Sequence, residues 1–362
     1  MTLPRITLVA TLLLATPALA QLQITPPATI PSPATDKQKA KEPAKEKPKA
    51  TPHTITKKKE PAPKPSASPS PTLPATVIPA PPTDNSNVDL VFGAYQRGQY
   101  KTAFDLASAR AQTGDAKAMT MLGELYSNAM GIRRDYAKAV EWYKRAADAG
   151  DREAMFALAM LRMAGRGGPV DKGEAVKLMA SAAKLGEPKA AYNLALLYLD
   201  GQTLPQDVKR SAELLRQAAD AGLPEAQYAL ATFYKEGTGV PKDPERAVRL
   251  LQAASLADNV DAEVEYAIAM FNGTGTPKNQ PAAVALLRKA ARQGSAIAQN
   301  RLAWVLINGM GAPVDKVEGF KWHLVAKTSG KGDPELDKQL ADLPADDRAR
   351  AEAAAKKWLG NK

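Results

Sequence analysis

The sequence predicts an all-α protein built from stacked helix pairs, and three observations support this fold class. Hydrophobic residues make up 44% of the 362 residues, but aromatic residues make up only 6%. This alanine-rich composition suits close helix packing better than β-sandwich strands, which favour aromatic and β-branched side chains. A pattern of small residues recurs every 36 residues, and apolar positions follow helical spacing within each repeat. The repeats therefore indicate a solenoid in which each unit contacts only its neighbours.

The first twenty residues have the pattern of a secretory signal peptide. Arg5 precedes an apolar run over residues 6–15, and a small-residue motif of the A-x-A type ends at Ala20. The run of ten apolar residues is too short to cross a bilayer, and no later stretch is long enough. We therefore expect cleavage after Ala20 and a periplasmic or secreted mature protein without a membrane span.

Residues 21–87 form a segment of different composition. They hold 16 of the 29 prolines, ten lysines and no Phe, Trp or Tyr. Such a segment buries too little apolar surface to offset its ordering entropy, so we predict a disordered spacer. Lysines such as Lys57, Lys58 and Lys59 allow weak contact with anionic envelope polymers. The alternative is a solvated linker, which the thinly spread charge favours.

The net charge of +11 is concentrated near the N-terminus. Residues 88–362 carry 38 basic and 33 acidic side chains, so this part has a charge of only +5. Such a balance is too small for the basic surface of a nucleic-acid-binding domain, and export makes that role less suitable still. We expect no nucleic-acid partner.

Six units of 36 residues occupy residues 114–329 without an insertion. Most units have two glycines that allow positive φ in the turn after the first helix, and every unit then has an Asp or Asn that N-caps the second helix. The fifth position is always alanine, which we interpret as a point of close helix approach. These alanines are Ala118, Ala154, Ala190, Ala226, Ala262 and Ala298.

Segments such as Ala190–Ala195 and Glu236–Val240 resemble the Sel-1-like repeat family, which is related to the tetratricopeptide repeats. The resemblance covers residues 88–360. It implies a right-handed superhelix of antiparallel helix pairs that serves as a scaffold or adaptor for other proteins. We expect an N-terminal helix pair at residues 88–113 and a polar C-terminal cap at residues 330–362, for a total of roughly fourteen helices.

Four residues depart from the repeat pattern. Ala129 and Thr203 replace turn glycines, and Ser211 replaces an alanine of the second helix. We expect these two turns to bend differently from the others. Asp258 replaces the glycine between two units, so we expect a changed angle at that junction.

The residues needed for common catalytic sites are missing from the sequence. The chain has no cysteine, and its two histidines are His53 in the spacer and His323 at a packing position of a second helix. No Ser-His-Asp or Cys-His arrangement and no metal-ligand spacing is available. We therefore predict a non-enzymatic protein without a catalytic, cofactor or metal site. The sequence leaves one alternative open, a catalytic pair of carboxylates supplied by two different repeats.

Positions 11 and 14 of each unit are expected to face the concave side of the solenoid. Four of the six pairs are wholly apolar, where a merely solvated face would be polar. We predict an apolar protein-binding groove from these pairs. The alternative is that superhelical curvature buries them against neighbouring repeats. The predicted groove residues are Met160, Met163, Leu196, Leu199, Ile268, Phe271, Trp304 and Ile307.

Two functions of different classes remain. The first is an exported scaffold that binds a peptide or an envelope protein on its concave face. The second is a cell-wall-binding or glycan-hydrolase accessory protein of the envelope. The implied scaffold role of the family favours the first, and the sequence does not identify the partner.

Overall fold

The computed structural model describes residues 89–360, so the predicted signal peptide and spacer lie outside the described residues. The described part contains sixteen α-helices and no β-strand. Consecutive helices form antiparallel pairs, and the pairs form a right-handed α-solenoid. The all-α solenoid predicted from the sequence is confirmed.

The helices of the six repeat units all have the same length of 13 residues. A first helix and a second helix alternate along the chain, flanked by one helix pair at each end. The sixteen helices are α1 Leu90–Gln96, α2 Tyr100–Gln112, α3 Ala116–Asn128, α4 Tyr136–Asp148, α5 Arg152–Ala164, α6 Lys172–Lys184, α7 Pro188–Asp200, α8 Val208–Asp220, α9 Pro224–Glu236, α10 Pro244–Leu256, α11 Val260–Asn272, α12 Gln280–Arg292, α13 Ala296–Asn308, α14 Lys316–Thr328, α15 Pro334–Ala341 and α16 Ala345–Gly360.

The second helix of every unit begins at a side-chain N-cap. In the first unit, Asp135 Oδ1 accepts a hydrogen bond from the backbone N–H of Lys138 at 3.0 Å. The corresponding Asp or Asn in the other five units makes the same bond at 2.8–3.1 Å. Each bond satisfies one of the backbone donors that a helix start leaves unpaired, and its loss costs about 1 kcal/mol.

The first helix of each unit ends at a residue in the left-handed conformation in all six units. Ala129 has φ +59° and keeps this turn in the first unit, so the expectation of a different bend there is wrong. Thr203 does not adopt positive φ, and the third turn therefore does differ from the others. Asp258 also has φ +59° at the junction that glycine forms elsewhere. Its carboxylate lies 3.3 Å from Lys289 Nζ.

The second glycine of the turn allows consecutive units to stack closely. Gly239 has φ +68°, and a Cβ atom added to it would lie 2.7 Å from the carbonyl oxygen of Val208. Val208 is the first residue of α8, the second helix of the preceding unit. This glycine is therefore required by a backbone contact between units as well as by its own conformation.

The alanine at the fifth position is buried in every unit, with 0–3% of its surface exposed. This confirms close helix approach at that point. The ring of Tyr143 fits into the core only because residue 123 is glycine. A Cβ atom on Gly123 would lie 2.6 Å from this ring. The other five units have alanine at the position of Gly123. The core thus keeps its volume by pairing a smaller residue with a larger one.

The C-terminal cap contains two helices, α15 and α16. Leu336 of α15 is fully buried. Trp358 of α16 packs edge-to-face on Trp322 of α14, with ring centroids 5.0 Å apart. The described residues therefore hold sixteen helices instead of roughly fourteen. None of these helices is long and apolar enough to cross a membrane.

Candidate functional site on the inner face of the first helices

The eight predicted groove residues lie on the first helices α5, α7, α11 and α13. Seven of them are half-buried, and their exposure alone does not separate a groove from a core. Met160 and Met163 pack against a buried cluster that includes Met179 and Leu197. Ile268 and Phe271 pack in the same way against the core of the last units. The assignment of these residues to a groove stays a prediction.

Ile307 does not belong to an accessible groove, because only 5% of its surface is exposed. The reason lies in α14, where Gly319 occupies the position held by alanine in four other units. A Cβ atom on Gly319 would lie 2.6 Å from Ile307 Cγ1. Ile307 therefore fills the space that the missing methyl group leaves.

Trp304 is half-buried and is held by the C-terminal cap. Its indole Nε1–H donates a hydrogen bond to Asp333 Oδ2 at 2.8 Å. Asp333 is also the N-cap of α15. Trp304 thus links the sixth unit to the cap, a contact that the repeat pattern alone does not reveal.

A cleft of about 500 Å³ opens on the first helices near the N-terminal end. We name the surface formed by positions 4, 7, 8 and 11 of the first helices the inner face, because positions 4, 7 and 8 line the cleft in the first two units and Glu124 at position 11 lines it in the first. None of the eight predicted groove residues lines this cleft. Its lining includes Phe92 and Tyr95 of α1, Lys117, Thr120, Met121 and Glu124 of α3, Glu153, Phe156 and Ala157 of α5, and Lys189 of α7.

The cleft combines an apolar floor with paired charges. Lys117 Nζ lies 2.9 Å from a carboxylate oxygen of Asp151 and 3.2 Å from one of Glu153. Burial acts to lower the pKa of Lys117, but these two carboxylates outweigh burial and raise it. Phe92 of α1 is 47% exposed at the rim, where it offers apolar surface to a ligand.

Position 7 carries the aromatic residues of the inner face. Phe156, Tyr192 and Tyr228 follow one another at intervals of 36 residues on α5, α7 and α9, and each is half-buried. The sequence interpretation missed them because it treated tyrosines of the first helix as packing residues. The sequence does contain a signal for these residues. Aromatic residues recur at intervals of one repeat, next to alanines and leucines that already fill the core.

The C-terminal end of the inner face carries Arg301 at position 8 of the sixth unit. Burial lowers the pKa of this guanidinium, while the carboxylates of Asp333 and Glu265 act in the opposite direction. Within residues 89–360, the side chain of Arg301 makes no hydrogen bond or ion pair. This end of the face therefore offers a cation, whereas the carboxylates of the cleft are paired.

His323 occupies the packing position predicted for it. The side chain is fully buried, and its Nε2 lies 2.9 Å from Asp337 Oδ1 of α15. The part of the chain that the structure describes contains no group of three or more His, Asp or Glu residues that could hold a metal ion.

The fold defines a class of protein: an α-solenoid of helix-pair repeats. Comparison with protein families supports this class, because a family model described as Sel1 repeat matches six segments of the chain. The chain therefore belongs to the Sel1 repeat family, whose solenoids are typically protein-interaction scaffolds. The matched residues are 116–151, 152–187, 188–223, 224–259, 260–295 and 296–330.

Two solved structures are similar to this chain along most of its length. The first is a protective antigen present in uropathogenic Escherichia coli strains, which displays the SLR fold. It is 25% identical with a TM-score of 0.63, and the match covers 76% of this chain but only 63% of the antigen. The second is a Sel1 repeat protein from Oxalobacter formigenes, 27% identical with a TM-score of 0.60. That match covers 67% of this chain and all of the other. No curated protein matches the sequence significantly.

Proposed function

We propose that this protein is an exported interaction scaffold that binds a peptide or protein partner on the inner face of its first helices. The observation that carries the proposal is the cleft of about 500 Å³ on α1, α3, α5 and α7. Exposed apolar surface rimmed by charged groups is typical of interaction sites on soluble proteins. Phe92 and Phe156 supply aromatic side chains of the kind that is enriched at the core of such sites.

Site-specific photocross-linking in cells tests the binding site. Phe156 is replaced by p-benzoyl-phenylalanine in the full chain, and Val170 is replaced in a control variant. Val170 is exposed in the loop between α5 and α6, outside the cleft lining. We expect a discrete cross-linked species from position 156 that position 170 does not give. Equal products from both positions, or none from position 156, would contradict the proposed site.

Export is a separate part of the proposal and rests on the signal-peptide pattern alone. Fractionation followed by mass measurement of the intact protein tests it. We expect the mature chain to begin at Gln21 in the exported fraction. A chain that retains Met1 in that fraction would refute cleavage after Ala20.

A further inference from the structure

We propose that one edge of the first two repeat units binds the phosphate groups of anionic phospholipids at a membrane surface. This edge, which we name the basic edge, is formed by Arg133, Arg134, Lys138, Arg166 and Lys172. It lies in the turns after the first helices and in the first turns of α4 and α6, so the inference goes beyond the proposed function and does not depend on the cleft. Three features carry it: two guanidinium groups on one ring, an excess of cations without ion pairs, and the confinement of turn arginines to these two units.

The first feature is the convergence of two units on the ring of Tyr136, the first residue of α4. The guanidinium carbon of Arg134, in the turn of the same unit, lies 5.8 Å from the ring centre. The guanidinium carbon of Arg166, in the turn of the second unit, lies 5.5 Å from the same centre. One aromatic ring therefore holds two cations from different units next to each other.

The turn that carries Arg166 is fixed against the start of α4. Gly167 has φ +75°, and a Cβ atom added to it would collide with the carbonyl oxygen of Tyr136 and lie 2.9 Å from Val140 Cγ2. The backbone beside Arg166 is therefore in place before a ligand arrives, which lowers the entropy cost of binding.

Both guanidinium groups keep their donors available for a ligand oxygen. Within residues 89–360, the side chains of Arg134 and Arg166 make no hydrogen bond and no ion pair, and their contact with Tyr136 offers them no acceptor oxygen. A guanidinium presents its N–H groups as a planar fork that matches the oxygens of a phosphate group. The two arginines are thus suited to phosphate.

The second feature is the excess of positive charge on the basic edge. None of its five cations makes an ion pair within the described residues, and all except Arg166 are exposed. The carboxylates of Asp135 and Asp171 lie on the same edge, where each caps a second helix. Glu174 pairs with Arg162 at 3.1 Å. Two carboxylates therefore stand against five cations, and the edge stays positive.

The third feature is that the fold does not require these arginines. The turns between first and second helices contain three arginines, and all three belong to the first two units. The corresponding turns of the other four units hold at most one lysine each, yet their second helices begin at the same N-cap. Tyr136 is also the only aromatic residue at the first position of a second helix in the six units.

The open arrangement of the cations favours a membrane surface over a small anion. The exposed side chains of the basic edge come from two successive turns and two helix starts, so they can contact several headgroup phosphates at once. Cations near an anionic lipid surface each add to the attraction, and this attraction is screened by salt.

Sedimentation of the full chain with lipid vesicles tests the proposed ligand. The vesicles consist of phosphatidylcholine alone or with about 30% phosphatidylglycerol, and we expect binding only to the second kind, with an affinity that falls as salt rises. A further arm adds inorganic phosphate at about 10 mM and constant ionic strength, and we expect binding to persist. Equal binding to both vesicles would overturn the proposal. Loss of binding in phosphate would assign the site to the free anion and would also overturn it.

Matched variants locate the binding surface on the folded part of the chain. Arg134→Gln/Arg166→Gln should weaken binding to the phosphatidylglycerol vesicles about tenfold or more. Arg249→Gln/Arg292→Gln removes the same charge from exposed arginines of α10 and α12 and should have a much smaller effect. Equal losses in the two double variants would show that net charge alone acts, and the assignment to the basic edge would fail.

The lysines of the predicted spacer need a separate control. Lys57→Gln/Lys58→Gln removes two positive charges from that segment. We expect this variant to lose less affinity for the vesicles than Arg134→Gln/Arg166→Gln. A larger loss would place the lipid contact in the spacer and would refute the proposal.

The ring of Tyr136 has its own test, because its replacement changes no charge. Tyr136→Leu should weaken vesicle binding about threefold, whereas Tyr136→Phe should bind like the parent. Circular dichroism checks that both variants keep their helical content. Unchanged binding of a folded Tyr136→Leu variant would overturn the role assigned to the ring.

An acidic protein segment is the other class of ligand that the arginines could take. The labelled peptide (Glu-Ala)6 tests it by fluorescence anisotropy. If Arg134→Gln/Arg166→Gln weakens binding of this peptide and leaves vesicle binding unchanged, the lipid proposal is wrong. These results are independent of photocross-linking from position 156, so the scaffold function and the lipid contact can fail separately.

Discussion

Single residues decide which side chains of the first helices reach the inner face. The sequence correctly places the fifth-position alanines in the core, because a residue that never varies over six units must satisfy the same contact in each. It does not place Ile307 correctly, because the burial of Ile307 depends on Gly319 in the opposite helix. The signal was present in the sequence, since the sixth unit alone has glycine at that position. The burial of Ile307 could not be predicted from this glycine without knowing that positions 307 and 319 face each other.

The Gly319–Ile307 pair gives a prediction at this scale. Gly319→Ala should destabilise the protein by about 2 kcal/mol, because the new methyl group overpacks against Ile307. The double variant Gly319→Ala/Ile307→Met recreates the pair Ala175–Met163 of the second unit and should recover most of the loss. Urea denaturation followed by circular dichroism measures both variants. If the double variant is no more stable than Gly319→Ala alone, Ile307 is not the residue that fills the space.

At the scale of helices and turns, the sequence predicts most of the structure because caps and turn residues are local signals. The N-cap Asp or Asn of every second helix makes the expected bond. The short helix α15 was missed because it lies outside the repeat and spans only eight residues. The sequence also predicts only part of the role of the second turn glycine. It predicts the positive φ of this residue, but its contact with the preceding unit is not local and so has no local sequence signal.

The two glycines of one turn therefore differ in what their replacement should cost. Gly237→Ala places a residue with a side chain in the left-handed conformation, which costs about 1–2 kcal/mol. The new Cβ atom would lie 3.4 Å from Lys242 Cβ, which is an ordinary contact distance. Gly239→Ala carries the same conformational cost and in addition collides with the backbone of Val208. We expect a clearly larger fall in the free energy of unfolding for Gly239→Ala. Equal losses in urea denaturation would show that the units can shift apart without cost.

The contact between α14 and α15 predicts a dependence of stability on pH. Asp337 Oδ1 lies 2.8 Å from Lys327 Nζ and 2.9 Å from His323 Nε2, and hydrogen bonds from these groups lower the pKa of Asp337. A carboxyl whose pKa is lower in the folded state stabilises the protein above its unfolded pKa of about 3.9, and this contribution is lost as the pH falls through the folded value.

Asp337→Asn should therefore lower the thermal unfolding midpoint at pH 7, and the difference from the parent should shrink as the pH falls below about 3.9. Thermal unfolding measured from pH 2 to pH 8 checks this expectation. Asp342→Asn serves as a control, because Asp342 is exposed at the end of α15. A difference for Asp337→Asn that stays constant down to pH 2 would show that the charge of Asp337 is not involved.

For the whole molecule, the sequence predicts the architecture far better than the binding surface. Six units of identical length establish a solenoid, because each unit repeats the same local and nearest-neighbour contacts. The inner face is assembled across units: Glu225 belongs to the fourth unit but acts on Tyr192 of the third. Such a pairing depends on the relative placement of two helices, and the sequence alone does not specify it.

A solenoid stabilised by nearest neighbours should also lose structure locally when one end is weakened. Trp358→Ala removes the edge-to-face contact with Trp322 and should destabilise the cap by about 2 kcal/mol. This loss is smaller than for a fully buried aromatic residue, because Trp358 is half-buried. Hydrogen exchange measured by mass spectrometry should then show faster exchange in α13 to α16 and unchanged exchange in α3 to α8. Trp358→Phe keeps an aromatic ring and should lie between the parent and Trp358→Ala. Uniformly faster exchange along all sixteen helices would mean that the array unfolds as a single cooperative unit, and the nearest-neighbour description would fail.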